Sequence, residues 1–335
     1  MRDTRPGLNT TRLARLVRQA VERCGLNLRG RVVFTEAATG AYAVTPVLAA
    51  RAGAERVFAL ARPSRFGTVA EARCTTEALA AEAGVAGRVR VVTEKRPDLI
   101  READVVTNSG HVRPIDRETV ECMRPGAVVP LMYECWELRP EDVNLEACLA
   151  RGIRVAGTNE RHPQVDVFSY LGAMAVRLLT DAGVAVRGSR VVVVSDNPFG
   201  PYIHRGLEAA GASVTSPHEL SPAALQSCGE CDAVLVAAGT GPQVIVGRDE
   251  ARALASAAPS AVVVQFWGDL DRAGLDAVGV PYWPPSAPPT GHMGILPSAL
   301  GPEPVVRLQA GGLKVAEVLL RAEPGSDDWR YLDPL

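Results

Sequence analysis

A chain of 335 residues is too long for one ordinary core and suggests two domains, each large enough to fold without disulfides or metal ions. Its 36 basic and 38 acidic side chains, with 47% hydrophobic and 22% charged residues, exclude the basic excess of a nucleic-acid binder and the acidic tail of a disordered segment. The opening stretch MRDTRPGLNTTRLARLVRQAVERCGLNL lacks the apolar core of a signal peptide, and no run approaches the ~20 apolar residues that span a bilayer, so a cytoplasmic protein with no membrane partner is expected.

Short apolar runs alternate with helical patterns from end to end, the pattern of βαβ units and parallel sheets. The first set of strands is predicted at 31–36, 56–61, 89–94, 104–108, 127–133 and 153–157, with helices between them that often close on glycine. A longer, largely apolar helix follows over 165–184. A second set of strands begins at 190–196 and continues at 212–216, 232–238, 261–267 and 280–285, before a Gly- and Pro-rich passage and a last long helix, GGLKVAEVLLRAEPG. The expected fold is α/β: two Rossmann-like lobes with parallel sheets, joined by interdomain helices around a cleft. Residues 1–185 form the substrate-type lobe, to which 305–335 return, and 186–304 form the nucleotide-binding type, with a hinge near 184–189.

Seven scattered cysteines make no framework of a small secreted scaffold, which fits a reducing compartment. Cys228-Gly-Glu-Cys231 has the spacing of a zinc or redox pair, but no second pair accompanies it and it precedes a strand instead of following one, so two incidental thiols are expected.

Ligands of open α/β sheets bind beyond the carboxyl ends of the strands, so residues directly after each predicted strand are the candidates. In the first lobe these include Asn108, Ser109, His111, Tyr133 and Glu134 as substrate contacts, with Glu137 beside them, and in the second Trp267. Asn159-Glu160-Arg161-His162-Pro163 places a carboxylate, a guanidinium and an imidazole in sequence, able to bind an anionic substrate and move its proton; the alternative is a surface ion pair with a solvated histidine. His292 in PTGHMG is flanked by glycines that admit close backbone approach, and its alternative is a loop histidine bonded for structure. Cys135 can be read as a nucleophile or as a buried thiol. No metal-ligand spacing links the histidines, and no metal is expected.

The stretch VVVVSDNPFG has the strand and turn of a dinucleotide site, yet Ser195, Asp196, Asn197, Pro198, Phe199 and Gly200 stand where G-x-G-x-x-G would run. Gly200 keeps the glycine that packs helix on strand, while Asp196 and Asn197 crowd the phosphate seat. ASVTSPHEL lacks an acid for the ribose, although Ser216 and His218 could suit a 2′-phosphate.

The segment PEDVNLEACLARGIRVAGTNERHPQVDVFSYLGAMAVRLL (140–179) resembles the D-isomer-specific 2-hydroxyacid dehydrogenase and formate dehydrogenase family, through Val143, Leu145, Glu146, Ala147, Gly152, Ile153, Val155 and Asn159. The resemblance covers about two thirds of the chain, as pattern. It implies NAD or NADP on the second lobe, seated by Ser195, Asp196, Asn197, Phe199, Gly200, Thr240 and Gln265, and a small oxo, hydroxy or amino acid-like substrate. His292, with Glu160, Arg161 and His162, is the implied catalytic set, and a homodimer through the helices around 165–180 is implied too. The family's Arg and Glu find no matching positions, with Arg272 merely nearby. VVFTEAATGAYAV in the first lobe looks like an S-adenosylmethionine loop, but Ala61 and Arg62 stand where its ribose acid would be. A non-redox enzyme or a ligand-binding protein, with S-adenosylmethionine or no cofactor, is therefore the alternative to a dehydrogenase.

Overall fold

The central strands of this chain are buried on both faces, which is why they read as largely unbroken apolar runs and not as alternation. The computed structural model describes residues 5–217, 221–239, 244–289 and 291–335. The strands are β1 (Val32–Glu36), β2 (Arg56–Leu60), β3 (Val89–Val92), β4 (Val105–Val106), β5 (Val128–Pro130), β6 (Arg154–Thr158), β7 (Arg190–Val194), β8 (Ser213–Thr215), β9 (Ala233–Ala237), β10 (Val244–Val246), β11 (Val262–Trp267), β12 (Asp269–Leu270), β13 (Tyr282–Trp283) and β14 (Leu332–Asp333). The helices are α1 (Thr10–Arg23), α2 (Val44–Arg51), α3 (Val69–Glu82), α4 (Pro97–Glu102), α5 (Arg117–Cys122), α6 (Leu145–Ala150), α7 (Leu171–Asp181), α8 (Phe199–Ala209), α9 (Pro222–Cys228), α10 (Arg248–Ala257), α11 (Arg272–Val278) and α12 (Glu303–Leu320).

Met1–Val167 and Gly301–Leu335 make one compact unit, and Phe168–Leu300 make the other. In the first, the sheet runs β14-β6-β5-β4-β1-β2-β3. Six of these strands pair in parallel and β14 runs antiparallel to β6. From β1 the chain steps outward through β2 and β3, then returns to the other side of β1 at β4. This reversal is a topological switch point between β1 and β4. One face of the sheet is covered by α1, α2 and α12, whose Leu13, Val17, Val47, Leu48, Val306 and Leu313 are almost fully buried together. Within α12, Gly312 lets the backbone pass close to Met132, since a Cβ there would lie 2.5 Å from its Sδ.

The second unit carries a five-stranded parallel sheet, β13-β11-β9-β7-β8, with its switch point between β7 and β9. A short pair, β10 with β12, stands apart from it. α7 packs on α8 where Gly172 meets Gly206, and a Cβ on Gly206 would lie only 2.3 Å from the Gly172 Cα. The apolar side of α7 (Leu171, Met174, Leu178, Leu179) faces the core of this unit, leaving Ala173, Arg177 and Thr180 exposed.

The two parallel α/β sheets match the expected fold class. Some boundaries differ for local reasons. The helix expected over 165–184 begins only at Leu171, because Asp166 takes a left-handed φ of 51° and Phe168–Tyr170 form a 3-10 turn. Helix α7 lies in the second unit, so the dividing line falls after Val167 and not near 184–189. The strand expected at 127–133 ends at Pro130, and 280–285 shrinks to two residues bounded by Pro281 and Pro284, which have no N–H to offer a sheet. No helix among the described residues is long and apolar enough to cross a membrane.

Candidate active site

The carboxyl edge of the first unit's sheet gathers acids whose ionisation burial opposes. Glu36 is the last residue of β1 and 6% exposed, and its Oε2 accepts from the His111 N–H at 3.3 Å, across the switch point. Burial pushes its carboxyl up to about 7, against the opposing pull of the His111 N–H and Arg113. Gly110 makes room for it: with φ of 23°, a Cβ there would lie 1.8 Å from Glu36 Oε2. Beneath this turn, Thr107 Oγ1 donates to Thr35 Oγ1 at 2.8 Å and pairs with Ser109 Oγ at 2.7 Å, so the Ser109 hydroxyl belongs to a buried ring of three.

Beyond β5 the chain turns through Tyr133-Glu134-Cys135-Trp136-Glu137. Glu134 is 3% exposed; its Oε2 accepts from Trp136 Nε1 at 2.9 Å, and its Oε1 lies 3.5 Å from Arg161 Nε with no hydrogen-bond partner among the described residues. Burial raises this carboxyl against the pull of Trp136, Arg161 and the nearby Glu160 N–H. Glu137 is pushed up to about 7 by burial and by Glu134. Glu160, directly after β6 and its Asn159 turn, is held well above the usual carboxylate range by burial, then by Glu137, Glu134 and Asp333. Tyr42, in the 3-10 turn after β1, is raised to about 12 by burial and then by the charges of Glu36, Glu137 and Glu160. Asn108 closes the floor: it is fully buried, its Oδ1 accepts from the Met132 N–H at 2.8 Å, and its Nδ2 has no partner among the described residues.

Of the residues singled out from the sequence, Asn108, Glu134 and Glu160 converge at this edge with Arg161 at its rim, whose side chain is 47% exposed. Others serve the structure. The His162 ring stacks on Tyr331 at 3.7 Å, and its Nδ1 accepts from the Gln164 N–H at 3.2 Å. Tyr133 donates its hydroxyl to Asp142 Oδ2 at 2.7 Å. The Cys135 thiol donates to the Asp333 carbonyl at 3.0 Å and burial pushes it up to about 11, so it is no ready nucleophile. His111 contributes its backbone N–H, while burial and Arg62 lower its imidazole. Glu36, Tyr42 and Glu137 also follow predicted strands and belong to the strand-end candidates of the sequence, although no role was expected of Tyr42.

In the second unit the turn after β7 is bonded to itself. The Asp196 carboxylate accepts from the Gly239 N–H at 3.1 and 3.3 Å, and Asn197 Nδ2 donates to the Ala237 carbonyl at 2.8 Å, so both side chains cross the β7/β9 switch point. Asn197 Oδ1 also accepts from the Phe199 N–H at 3.0 Å, and its carbonyl from the Gly200 N–H at 3.3 Å. Gly200 packs against Ser195, where a Cβ would lie 3.0 Å from Oγ. The Phe199 ring is 5% exposed and stacks edge-on to Phe168 and Phe266, in the core rather than at a ligand surface. Gln265 Nε2 donates to the Gly268 carbonyl and its Oε1 accepts from Arg272; Trp267 Nε1 donates to the Gly291 carbonyl at 3.3 Å. His292, half-buried, donates its backbone N–H to the Pro289 carbonyl at 2.9 Å. Ser216 Oγ is paired with His204 Nδ1 at 2.9 Å. Thr240 and His218 lie outside the described residues. The N–H groups that would cradle a pyrophosphate are thus already occupied, and a carboxylate sits where a phosphate would. In this arrangement the turn does not fit a dinucleotide.

Among the described residues no group of three His, Cys, Asp or Glu has the geometry of a metal site.

No family model matches the chain, and no curated protein matches it in sequence. Its fold has clear likenesses among solved structures. Dipicolinate synthase from Bacillus halodurans, in one of its component chains, superposes with a TM-score of 0.58 at 13% identity, over 89% of this chain and 100% of that one. Dipicolinate synthase from Bacillus subtilis gives 0.55 at 10% identity, over 85% and 95%. A D-isomer-specific 2-hydroxyacid dehydrogenase described as NAD-binding, from Polaromonas sp. JS6 66, gives 0.50 at 17% identity, over 83% and 99%. The chain therefore shares its α/β fold with these structures, a D-isomer-specific 2-hydroxyacid dehydrogenase among them, as the resemblance of residues 140–179 had implied. At these identities the likeness is one of fold.

Proposed function

We propose that this protein is an enzyme that acts on a small molecule at the carboxyl edge of its first sheet, through proton transfer by carboxyl groups whose ionisation burial shifts toward neutral pH. The observation that carries this reading is the set of buried acids at one sheet edge: Glu36, whose Oε2 accepts from the His111 N–H at 3.3 Å, with Glu137 and Glu160, burial raising Glu36 and Glu137 to about 7 and Glu160 well above the usual carboxylate range. A general acid works best with a pKa near the operating pH, and side chains so tuned typically contribute about 10²–10⁴-fold in rate.

A second reading is nicotinamide-dependent oxidation or reduction of a small oxo, hydroxy or amino acid-like substrate, with His292 as acid/base. The likeness in fold to an NAD-binding dehydrogenase favours it, and the Asp196 and Asn197 bonds across the second switch point stand against it.

One experiment separates the two. Small amino, hydroxy and oxo acids and simple amines are incubated with the protein, with and without NAD, NADP and their reduced forms, and followed by mass spectrometry and nicotinamide absorbance. Conversion without nicotinamide turnover, lost in Glu160→Gln, is the expected result. Nicotinamide turnover that survives Glu160→Gln and disappears in His292→Ala overturns the acid–base reading.

A further inference from the structure

We propose that the first unit carries a second site, a groove at the amino edge of its sheet that binds a short run of phosphate groups. It lies apart from the carboxyl edge and does not rest on the chemistry proposed there.

The groove is built by α1 and the ends of α2 and α3, has a volume of about 580 Å³, and is lined by Arg12, Arg15, Arg18, Arg51 and Glu82. That volume falls within the ~300–1,000 Å³ of small-molecule sites. Arg51 is the last residue of α2 and Glu82 the last of α3, and each helix leads into the amino end of the next strand, β2 or β3. A molecule held here therefore sits on the edge opposite Glu36.

The sequence supplies this charge in a row. Helix α1 buries Leu13, Val17 and Ala20 in the core of the unit, and Arg12, Arg15 and Arg18 recur at every third position beside that stripe. At 1.5 Å per residue, Arg12 and Arg18 stand about 9 Å apart along the helix, so a ligand that meets the whole row carries more than one anionic group. Arg51 adds a fourth guanidinium from α2. Two of the four are already engaged: Arg12 is ion-paired with Glu303, and Arg15 Nη1 donates to Gln19 Oε1 at 3.1 Å. Arg18 and Arg51 are exposed and make no ion pair or side-chain hydrogen bond among the described residues. With Arg12 matched by Glu303, three guanidiniums face the Glu82 carboxylate in a chain whose net charge is -2.

The lining also selects among anions. Guanidinium forks pair with phosphate oxygens in bidentate geometry, and phosphates in series present several such edges on one short chain. The remaining side chains are small, Asn9, Thr11, Ala14 and Ala83. They offer no aromatic ring on which a base would stack and no large apolar group to enter a bilayer. Helices wall the groove, so it gives a peptide no strand edge to extend. The phosphates themselves are what such a site can read.

Isothermal titration calorimetry in EDTA, with tripolyphosphate, ATP, inorganic phosphate and hexaglutamate, tests the proposal. Tripolyphosphate and ATP should bind within about threefold of each other, because no nucleoside contact distinguishes them, and inorganic phosphate about tenfold more weakly or worse. Tripolyphosphate affinity should fall as salt rises from about 0.05 M to about 0.5 M. Arg18→Ala combined with Arg51→Ala, checked for intact folding by circular dichroism, should weaken tripolyphosphate by about tenfold. Glu82→Gln removes the opposing carboxylate and should tighten it by about threefold, a gain that a folding defect cannot imitate. Arg117→Ala, on α5, should leave it unchanged. Absence of saturable tripolyphosphate binding, binding indifferent to the arginine double variant, or an equal loss in Arg117→Ala overturns the proposal. Hexaglutamate binding more tightly than tripolyphosphate would make the groove a site for acidic peptide, and ATP binding more than about tenfold tighter than tripolyphosphate would mean that a nucleoside is read; either result overturns it as well.

Discussion

The carboxylate of Asp196 accepts from the Gly239 N–H at 3.1 Å, across the gap between the central strands of the second sheet. Removing it in Asp196→Ala leaves that N–H without its charged acceptor, and a loss of about 1–3 kcal/mol is expected in urea unfolding. The same bond predicts that NAD and NADP, oxidised or reduced, leave the melting temperature of the wild-type protein unchanged. A ligand at a hundred times its dissociation constant would add about 2.7 kcal/mol, so such a rise in the wild type would show that the turn opens readily. Asn197→Gly combined with Asp196→Ser is the variant in which a dinucleotide shift should first appear.

Glu36 spans the other switch point in the same manner, reaching from β1 to the His111 N–H at 3.3 Å. Its carboxyl is raised from 4.5 to about 7, so between these values the folded state binds a proton that the unfolded state has released. Its contribution to stability is therefore fully present below about pH 4.5 and is lost as pH rises through about 7. Glu36→Gln stays neutral throughout. It should match the wild type near pH 4 and exceed it by up to about 3 kcal/mol above pH 8, a difference that chemical denaturation across the pH range would reveal; equal stability at both ends would mean that Glu36 ionises freely.

At the crossing of α7 and α8 the two backbones meet with no side chain between them. Gly206→Ala puts a Cβ within 2.3 Å of the Gly172 Cα, and backbone cannot swing aside as a side chain can. A loss of about 1–3 kcal/mol or more is expected from the forced separation. Gly200→Ala should cost less, because the atoms its Cβ meets at 3.0 Å are the side chain of Ser195. Thermal melts of the two variants side by side give the order.

Cys135 sits beside the acids but with its thiol donated to the Asp333 carbonyl and raised to about 11 by burial and by Asp333. Iodoacetamide at neutral pH should label the exposed Cys74 long before Cys135, as read by peptide mass mapping. Rapid labelling of Cys135 would restore it as a candidate nucleophile.

What could be read from the sequence follows the range of the forces involved. Apolar runs such as VVFTE and RVVVV report burial on both faces locally, and they located the parallel strands of both sheets but not the antiparallel β14 (Leu332–Asp333). The rebuilt phosphate seat at Asp196 and Asn197 was equally legible, because G-x-G-x-x-G is a local motif. Contacts made by distant segments were not. Nothing near Cys135 announces Asp333, and nothing near His162 announces the Tyr331 ring on which it stacks. The acids of the first sheet edge are likewise separated by whole βαβ units, and only strand order brings the strands that lead to Glu36, Glu137 and Glu160 side by side. A carboxyl closing an apolar strand is the one local hint they leave.

The first unit is discontinuous: its core needs Val306, Ala310, Leu313 and Ala316 of α12, which follow the whole of Phe168–Leu300 in the chain. On the ribosome the second unit, being contiguous, can complete its fold while the first still exposes the apolar surface that α12 will cover. The interval of greatest exposure to aggregation and proteolysis thus falls late in synthesis. A nascent chain halted before residue 301 should carry a protease-resistant second unit beside a sensitive first one.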